Sequence, residues 1–249
     1  MPSLSRFTFC VVFSFALTLF IQPLCGFGHQ DESPTSAAVV KPEFDSSILF
    51  SGEAPKTVEQ LKFMERHFAE LAESAFPAVV NIQMGNAQGS GIVISSDGYI
   101  MTAAHVVAGP QKEARITFMQ DDGSLRSVTA ERLGVDNKLD SGLLKIKDGQ
   151  NDGKDYPYLD VGISDELKEG QWVMAIGHPG GMDKARGLVV RVGRIIFKSK
   201  TVVKTDCTLV GGDSGGPLID MNGNVIGIHS RIGSRLSDNL HVPADVYTE

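Results

Sequence analysis

From Val79 onward the chain breaks into short apolar runs separated by turn residues, and this pattern limits the fold more than any other feature. The runs include VVNIQM, GIVIS, YIMTA, RITFMQ, SVTAERLGV, WVMAIG, GLVVRVGRIIF, GPLID and VIGIHS. Asp97-Gly98, Asp122-Gly123 and Asn222-Gly223 lie between some of them, and Asn222-Gly223 is a strong hairpin signal. About a dozen strands with little helix predict an all-β domain, an antiparallel barrel or sandwich. One helix precedes them. In TVEQLKFMERHFAELAESAF, Leu61, Met64, Phe68, Leu71 and Ala75 recur at steps of three and four. Thr57 with Gln60 three residues later resembles a capping box, and Pro77 marks the end. Five seam positions are too few for a coiled coil, so the helix is expected to pack on its own domain, a trimer contact being the alternative.

The first 28 residues differ from all the rest. One early positive charge, an uncharged run from Phe7 to Leu24 and a small-residue exit at CGFG describe a secretory signal peptide. The rival reading is an uncleaved anchor, because the run nearly reaches the ~20 residues that span a bilayer. Leu24 before Cys25 hints at a lipoprotein site, which Gln22 and Pro23 fit poorly. Residues 29–56 mix Ser, Pro, Ala and acids without a period and read as a flexible linker. Residues 57–249 are then the folded domain of an exported, periplasmic or secreted protein, with no stable membrane insertion if the signal is cleaved. Cleavage would remove Cys10 and Cys25, leaving Cys207 without a disulfide partner and expected as a small buried residue. A net charge of −7 with no block of Lys and Arg argues against nucleic acid as the main partner.

Three residues carry candidate chemistry. A serine hydroxyl is a weak nucleophile unless a base takes its proton during attack, and that base needs a group to orient it. GYIMTAAHVV presents His105 just after an apolar strand, GVDNKLDSGLLKI places Asp140 directly before one, and LVGGDSGGPL holds Ser214. Asp136, four residues before Asp140, is the competing acid. The chain order His, Asp, Ser is that of the chymotrypsin-type arrangement. In those roles Ser214 attacks a carbonyl, His105 moves the proton and Asp140 holds the imidazole tautomer. Gly212 and Ser214 offer backbone N–H groups to the developing oxyanion, while Gly215 and Gly216 allow close packing behind the nucleophile.

These segments resemble the trypsin-like serine proteases of the HtrA/Deg type. GSGIVISSDGYIMTAAHVV is similar to that group's histidine segment, GVDNKLDSGLLKI to its aspartate segment, and VMAIGHPGG to its strand and loop before the substrate site. KTDCTLVGGDSGGPLID, followed by GNVIGIHS and LHVPADV, resembles its nucleophile region and closing strands. The resemblance implies a chymotrypsin-like double six-stranded antiparallel β-barrel with an N-terminal helix. It also implies metal-free, cofactor-free hydrolysis of protein or peptide substrates, often in a homotrimer with quality-control duties. The alternative is a peptide-binding chaperone or scaffold with weak or gated hydrolysis.

Several positions depart from that pattern. Ser141-Gly142 replaces the usual Leu-Ala, and TAAH is closer to trypsin. The chain ends at Glu249 without the PDZ domain that commonly follows, so it is either a protease-only member or stops before its native end. The resemblance puts Thr208 at the floor of the S1 pocket, which predicts a small or medium apolar P1 residue. Ile228, His229 and Ser230 are the expected substrate-facing strand edge, with His229 either entering the pocket or packing beneath a loop. Asp213 stands where Asn is usual. In digestive-type proteases this aspartate pairs with an ammonium released by cleavage before a motif like Ile-Val-Gly-Gly, and no such motif occurs here. Asp213 is therefore expected to take backbone N–H groups or a loop cation such as Arg231 or Arg235.

Overall fold

In the computed structural model, which describes residues 46–247, the apolar runs become twelve strands in two closed barrels. β1 (Val79–Met84), β2 (Ala87–Val93), β3 (Tyr99–Ala103), β4 (Glu113–Met119), β5 (Leu125–Asp136) and β6 (Ser141–Ile146) close the first in the order β1-β2-β3-β6-β5-β4. β7 (Trp172–Gly177), β8 (Val189–Lys198), β9 (Val203–Thr205), β10 (Pro217–Ile219), β11 (Val225–Ile232) and β12 (Asn239–Pro243) close the second in the order β10-β11-β12-β9-β8-β7. Within each barrel every paired neighbour is antiparallel. The open choice between barrel and sandwich thus resolves to the two-barrel fold that the resemblance implied.

Side-chain alternation explains the closure. In β6 every second residue is buried, so Leu144 and Ile146 point into the first barrel beside Ile82, Ile116 and Phe118. Val173, Ala175, Ile195 and Leu218 fill the second barrel. A third apolar cluster joins outward-facing Ile92 and Met101 of the first barrel to Met174, Ile176 and Ile228 of the second. Closure also pairs every edge, which leaves neither sheet an open strand for aggregation. Asn222-Gly223 turns the β10–β11 hairpin as expected, inside a loop tied together by Asp220, whose Oδ1 accepts from the N–H groups of Asn222 and Asn224 at 2.9 Å each.

The predicted helix is α2 (Val58–Ala75), which follows a short turn, α1 (Ile48–Ser51). Thr57 Oγ1 accepts from Gln60 N at 3.2 Å and Gln60 Oε1 from Thr57 N at 3.3 Å, so the capping box is formed. Met64, Leu71 and Ala75 are buried as the periodicity requires, and Phe68 packs against the same cluster. Leu61 departs from the pattern: it lies in the first turn of α2 and is 54% exposed. His67 Nε2 meets the Met221 carbonyl at 2.8 Å and ties α2 to the β10–β11 hairpin. Thr57→Ala removes one acceptor of the box. It is expected to cost about 1 kcal/mol, seen as a fall of about 2–4 °C in melting temperature, with hydrolysis unaffected.

The linker reading needs one correction at its end. Ile48 and Leu49 of α1 are buried in the helix-side cluster, and the Trp172 indole N–H donates to the Glu53 carbonyl at 3.2 Å. Two apolar side chains in a polar stretch were enough to dock it. The signal peptide assigned to residues 1–28, and the linker up to residue 45, lie outside the described residues. No helix among the described residues is long and apolar enough to cross a membrane.

Candidate active site

His105 is presented by α3 (Ala104–Val107), a single helical turn directly after β3. Asp140 shapes that turn. Its carbonyl accepts from Ala104 N at 3.1 Å, and its Oδ1 accepts from His105 N at 3.0 Å. Asp140 adopts φ +60°, a left-handed conformation that Asp and Asn tolerate better than other side chains. The next strand residue but one is Gly142, where an added Cβ would meet Val107 Cγ2 at 2.8 Å. The Ser141-Gly142 departure is thus matched by close packing of Val107.

Both Asp140 oxygens lie 3.0 Å from His105 Nδ1, and Ser230 Oγ donates to Oδ2 at 2.5 Å. Asp136 is elsewhere, capping its own turn through Lys138 N and Leu139 N. Burial pushes the Asp140 carboxyl up, but the hydrogen bonds from His105 and Ser230 outweigh it and hold the group below the usual range. An anionic Asp140 fixes the proton of a neutral His105 on Nδ1 and leaves Nε2 free to accept.

Ser214 enters from the second barrel, in the loop before β10. An open cleft of about 500 Å³ is lined by His105, Asp140, Ser214, Ser230, Arg231 and Val210, among others. Ser214 Oγ makes no hydrogen bond among the described residues. The backbone N–H groups of Gly212 and Ser214 have no acceptor there either. Gly212 adopts φ +97°, and a Cβ on it would sit 2.4 Å from the His178 carbonyl, so only glycine fits. Gly215 is equally constrained by the first barrel, since a Cβ would lie 2.1 Å from the Ser90 carbonyl.

Ser90 of β2 was not singled out by sequence, although it lies within GSGIV. Its N–H donates to the Ser214 carbonyl at 2.7 Å and its hydroxyl to the Gly212 carbonyl at 2.9 Å. One residue of the first barrel therefore braces both ends of the Gly212–Ser214 segment. His178 N in turn donates to Ser90 Oγ at 3.0 Å. His178 is fully buried, and burial together with Arg186 lowers its pKa to about 4, so the ring is neutral.

Two expectations for substrate contacts are corrected. Ile228 and His229 are fully buried, and His229 exchanges backbone hydrogen bonds with Gly215 and Gly216 at 2.8 Å each. Neither lines the cleft, whose strand wall is Ser230, Arg231 and Ile232. Of the two alternatives for His229, packing is the one realised. Its Nδ1 lies 3.0 Å from His241 Nδ1, and burial lowers the pKa of both rings. A bulge between His229 and Arg231 takes Ser230 out of strand register, and its hydroxyl is on Asp140. Thr208 does not line the cleft either; its hydroxyl donates to the Leu236 carbonyl at 3.3 Å.

Asp213 is fully buried, and its partner is neither Arg231 nor Arg235. Arg191 Nη1, from β8, donates to Oδ1 at 3.0 Å, and Val210 N donates to Oδ2 at 2.9 Å. Cys207 is buried as expected, and burial pushes its thiol up to about 12, far from a reactive thiolate. No group of three or more His, Cys, Asp or Glu among the described residues could hold a metal ion.

Residues 89–228 match the family model described as trypsin-like peptidase domain. The chain belongs to the trypsin-like peptidase family. Among curated relatives, the "Probable periplasmic serine endoprotease DegP-like" of Halomonas elongata is 40% identical over 166 residues, covering 64% of this chain and 33% of that protein. A protein of the same description from Pseudomonas fluorescens is 36% identical over 212 residues, covering 81% and 42%. The chain thus spans under half the length of those relatives. The crystal structure of Deg5 superposes with a TM-score of 0.63 at 25% identity, covering 74% of this chain and 92% of Deg5. A serine endoprotease from Yersinia pestis gives 0.61 at 26%, covering 79% and 65%. The HtrA/Deg resemblance read from the motifs is therefore met in both sequence and fold.

Proposed function

We propose that the chain is a serine endopeptidase that cleaves unfolded or exposed protein segments in the periplasm, after export by its N-terminal signal. The observation that carries this reading is the His105–Asp140 pair at 3.0 Å, opening on the same cleft as an unbonded Ser214 hydroxyl and two acceptor-free N–H groups. Ser214 attacks the scissile carbonyl while His105 Nε2 takes its proton. Asp140 stabilises the imidazolium and remains ionised throughout. His105 then hands the proton to the leaving amine, and water repeats the sequence on the acyl-enzyme. The Gly212 and Ser214 N–H groups receive the oxyanion at each tetrahedral stage. The Ser214–His105 hydrogen bond closes as substrate enters, as is common for sites that tighten in the Michaelis complex.

An extended substrate lies along Ser230–Ile232, and Arg231 with Ile232 borders its residues beyond P1. Periplasmic export and proteolytic duty are supported by the descriptions of the DegP-like relatives. A homotrimer belongs to the same reading, and analytical ultracentrifugation checks it. The central test is labelling with a serine-reactive phosphonate and mapping of the modified peptide. Stoichiometric modification of Ser214 is expected. A folded protein that hydrolyses casein without labelling there would refute the mechanism, and one that neither hydrolyses nor labels would favour the scaffold reading.

A further inference from the structure

Asp213 presents a problem that the triad does not solve. A carboxylate taken wholly out of water is costly unless donors replace its hydration. In cleavage-activated digestive proteases the corresponding donor is a new N-terminal ammonium. Here the donors are internal. Arg191 Nη1 sits 3.0 Å from one oxygen and Val210 N 2.9 Å from the other, so every described contact to the carboxylate is from an N–H group. The ionised form is the one that fits them. Burial pushes the carboxyl above its usual range, and these same two donors oppose that rise.

The pocket for this carboxylate is built into the strands. Arg191 lies opposite Ala175 in the β7–β8 pairing, and only 19% of its side chain is exposed. Two residues along β7, Gly177 leaves the space the acid occupies, since a Cβ there would come within 2.6 Å of Asp213 Oδ1. Asp213 also closes a turn on Val210: its own N–H donates to the Val210 carbonyl at 3.1 Å. Residues 210 and 213 are thus bonded twice, and Gly212 is held between them at φ +97° with its N–H unpaired. Any shift of the carboxylate moves that turn, and the Gly212 N–H with it.

We infer that Arg191 is a positioning residue: by neutralising Asp213 from within the same barrel, it keeps the oxyanion-binding turn assembled without cleavage of the chain. This rests on the serine endopeptidase reading above. An ammonium supplied by proteolysis gates a site until it arrives, whereas a strand arginine is present as soon as the barrel folds.

The test uses the full chain and a fluorogenic peptide that it cleaves, after phosphonate labelling of Ser214 has established that the unaltered protein is a serine peptidase. If that labelling and the cleavage both fail, the functional reading falls and not this inference. With it established, Arg191→Met is expected to lower kcat about a hundredfold or more, the scale of losing one oxyanion donor, with KM changed only slightly. Adding Asp213→Asn removes the stranded charge while keeping an oxygen for Val210 N. The double variant should therefore recover at least about tenfold over Arg191→Met, because contacting residues couple strongly. A purely structural role would instead lower kcat in proportion to the unfolded fraction, which circular dichroism measures. Should Arg191→Met not fold, Arg191→Gln carries the test, since it keeps a polar N–H donor and loses the charge. A loss in kcat at constant KM is then expected. The inference is overturned if kcat in a folded Arg191 variant stays at the unaltered value, if the loss merely tracks unfolding, or if Asp213→Asn restores nothing. It is equally overturned if an N-terminal peptide extension abolishes activity, because a free ammonium would then be needed.

Discussion

Ser214→Ala is expected to lower kcat by about a millionfold, the scale found when the nucleophile of a triad is deleted, while the melting curve stays unchanged. The two halves of that expectation have separate physical origins. Loss of Oγ removes the atom that forms the acyl bond; the Ser230 hydroxyl in the same cleft is engaged by Asp140, and Cys207 is buried with its thiol pushed up to about 12. Stability is spared because Ser214 Oγ makes no hydrogen bond in the described structure, so its removal orphans no partner. Such a substitution falls within the ±0.5 kcal/mol typical of changes that break no contact. The braces from Ser90 end on the backbone carbonyls of Gly212 and Ser214 and persist in the variant. The oxyanion donors are also backbone groups, so a residual rate about 10³- to 10⁴-fold over water remains. Casein hydrolysis, measured with protein purified free of host proteases, gives the first half and thermal unfolding the second. A variant with wild-type turnover would remove Ser214 from the mechanism.

The residues that sequence reading found share one property: their chemistry is announced by short-range pattern. Thr57 with Gln60, the strand-then-histidine run at His105 and the glycine-flanked Ser214 are each local. Asp140 directly precedes an apolar strand, which marks it over Asp136 in the sequence, and it lies against His105 for the same reason: the end of a buried strand is fixed in space, whereas Asp136 serves a turn. What escaped was set by register and by the meeting of two barrels. Arg191 reads as an ordinary outward polar residue in VVRVGRIIF, and only the β7–β8 pairing brings it to Asp213, 22 positions away. Arg231 and Arg235 are the loop cations expected there, but the carboxylate meets a strand arginine instead. Ser90 reads as one small residue between two glycines, and its role needs the second barrel to be in place. Ile228 and His229 are fully buried, and the cleft wall begins only at Ser230, where a bulge follows His229. No local composition marks that bulge.

Asp140→Asn is the more discriminating substitution, because it preserves shape and changes only charge and one donor. Asn tolerates the left-handed backbone found at this position, where φ is +60°, so the turn that positions His105 should survive. The backbone N–H of His105 must still find an acceptor, which places the amide oxygen at the Oδ1 site. The amide nitrogen then occupies the Oδ2 site, where Ser230 Oγ can rotate to accept from it. That nitrogen is also 3.0 Å from His105 Nδ1, and it donates where the carboxylate accepted. The imidazole is drawn toward the tautomer with its proton on Nε2, the atom that has to receive the proton of Ser214. The negative charge that stabilises the imidazolium is lost as well. A fall in kcat of about ten-thousandfold near neutral pH is expected, with KM little changed, since Asp140 is not expected to touch the peptide. Stability supplies an independent check. The folded-state pKa of Asp140 is depressed, so its ionisation stabilises the fold above the unfolded carboxyl value of about 3.9. That contribution disappears as pH falls through the folded value. The asparagine variant has no such term, so its melting temperature should lie below wild type at neutral pH and converge with it under acid. A gap that stayed constant down to acid unfolding would mean that Asp140 gains nothing from His105 and Ser230 as an anion.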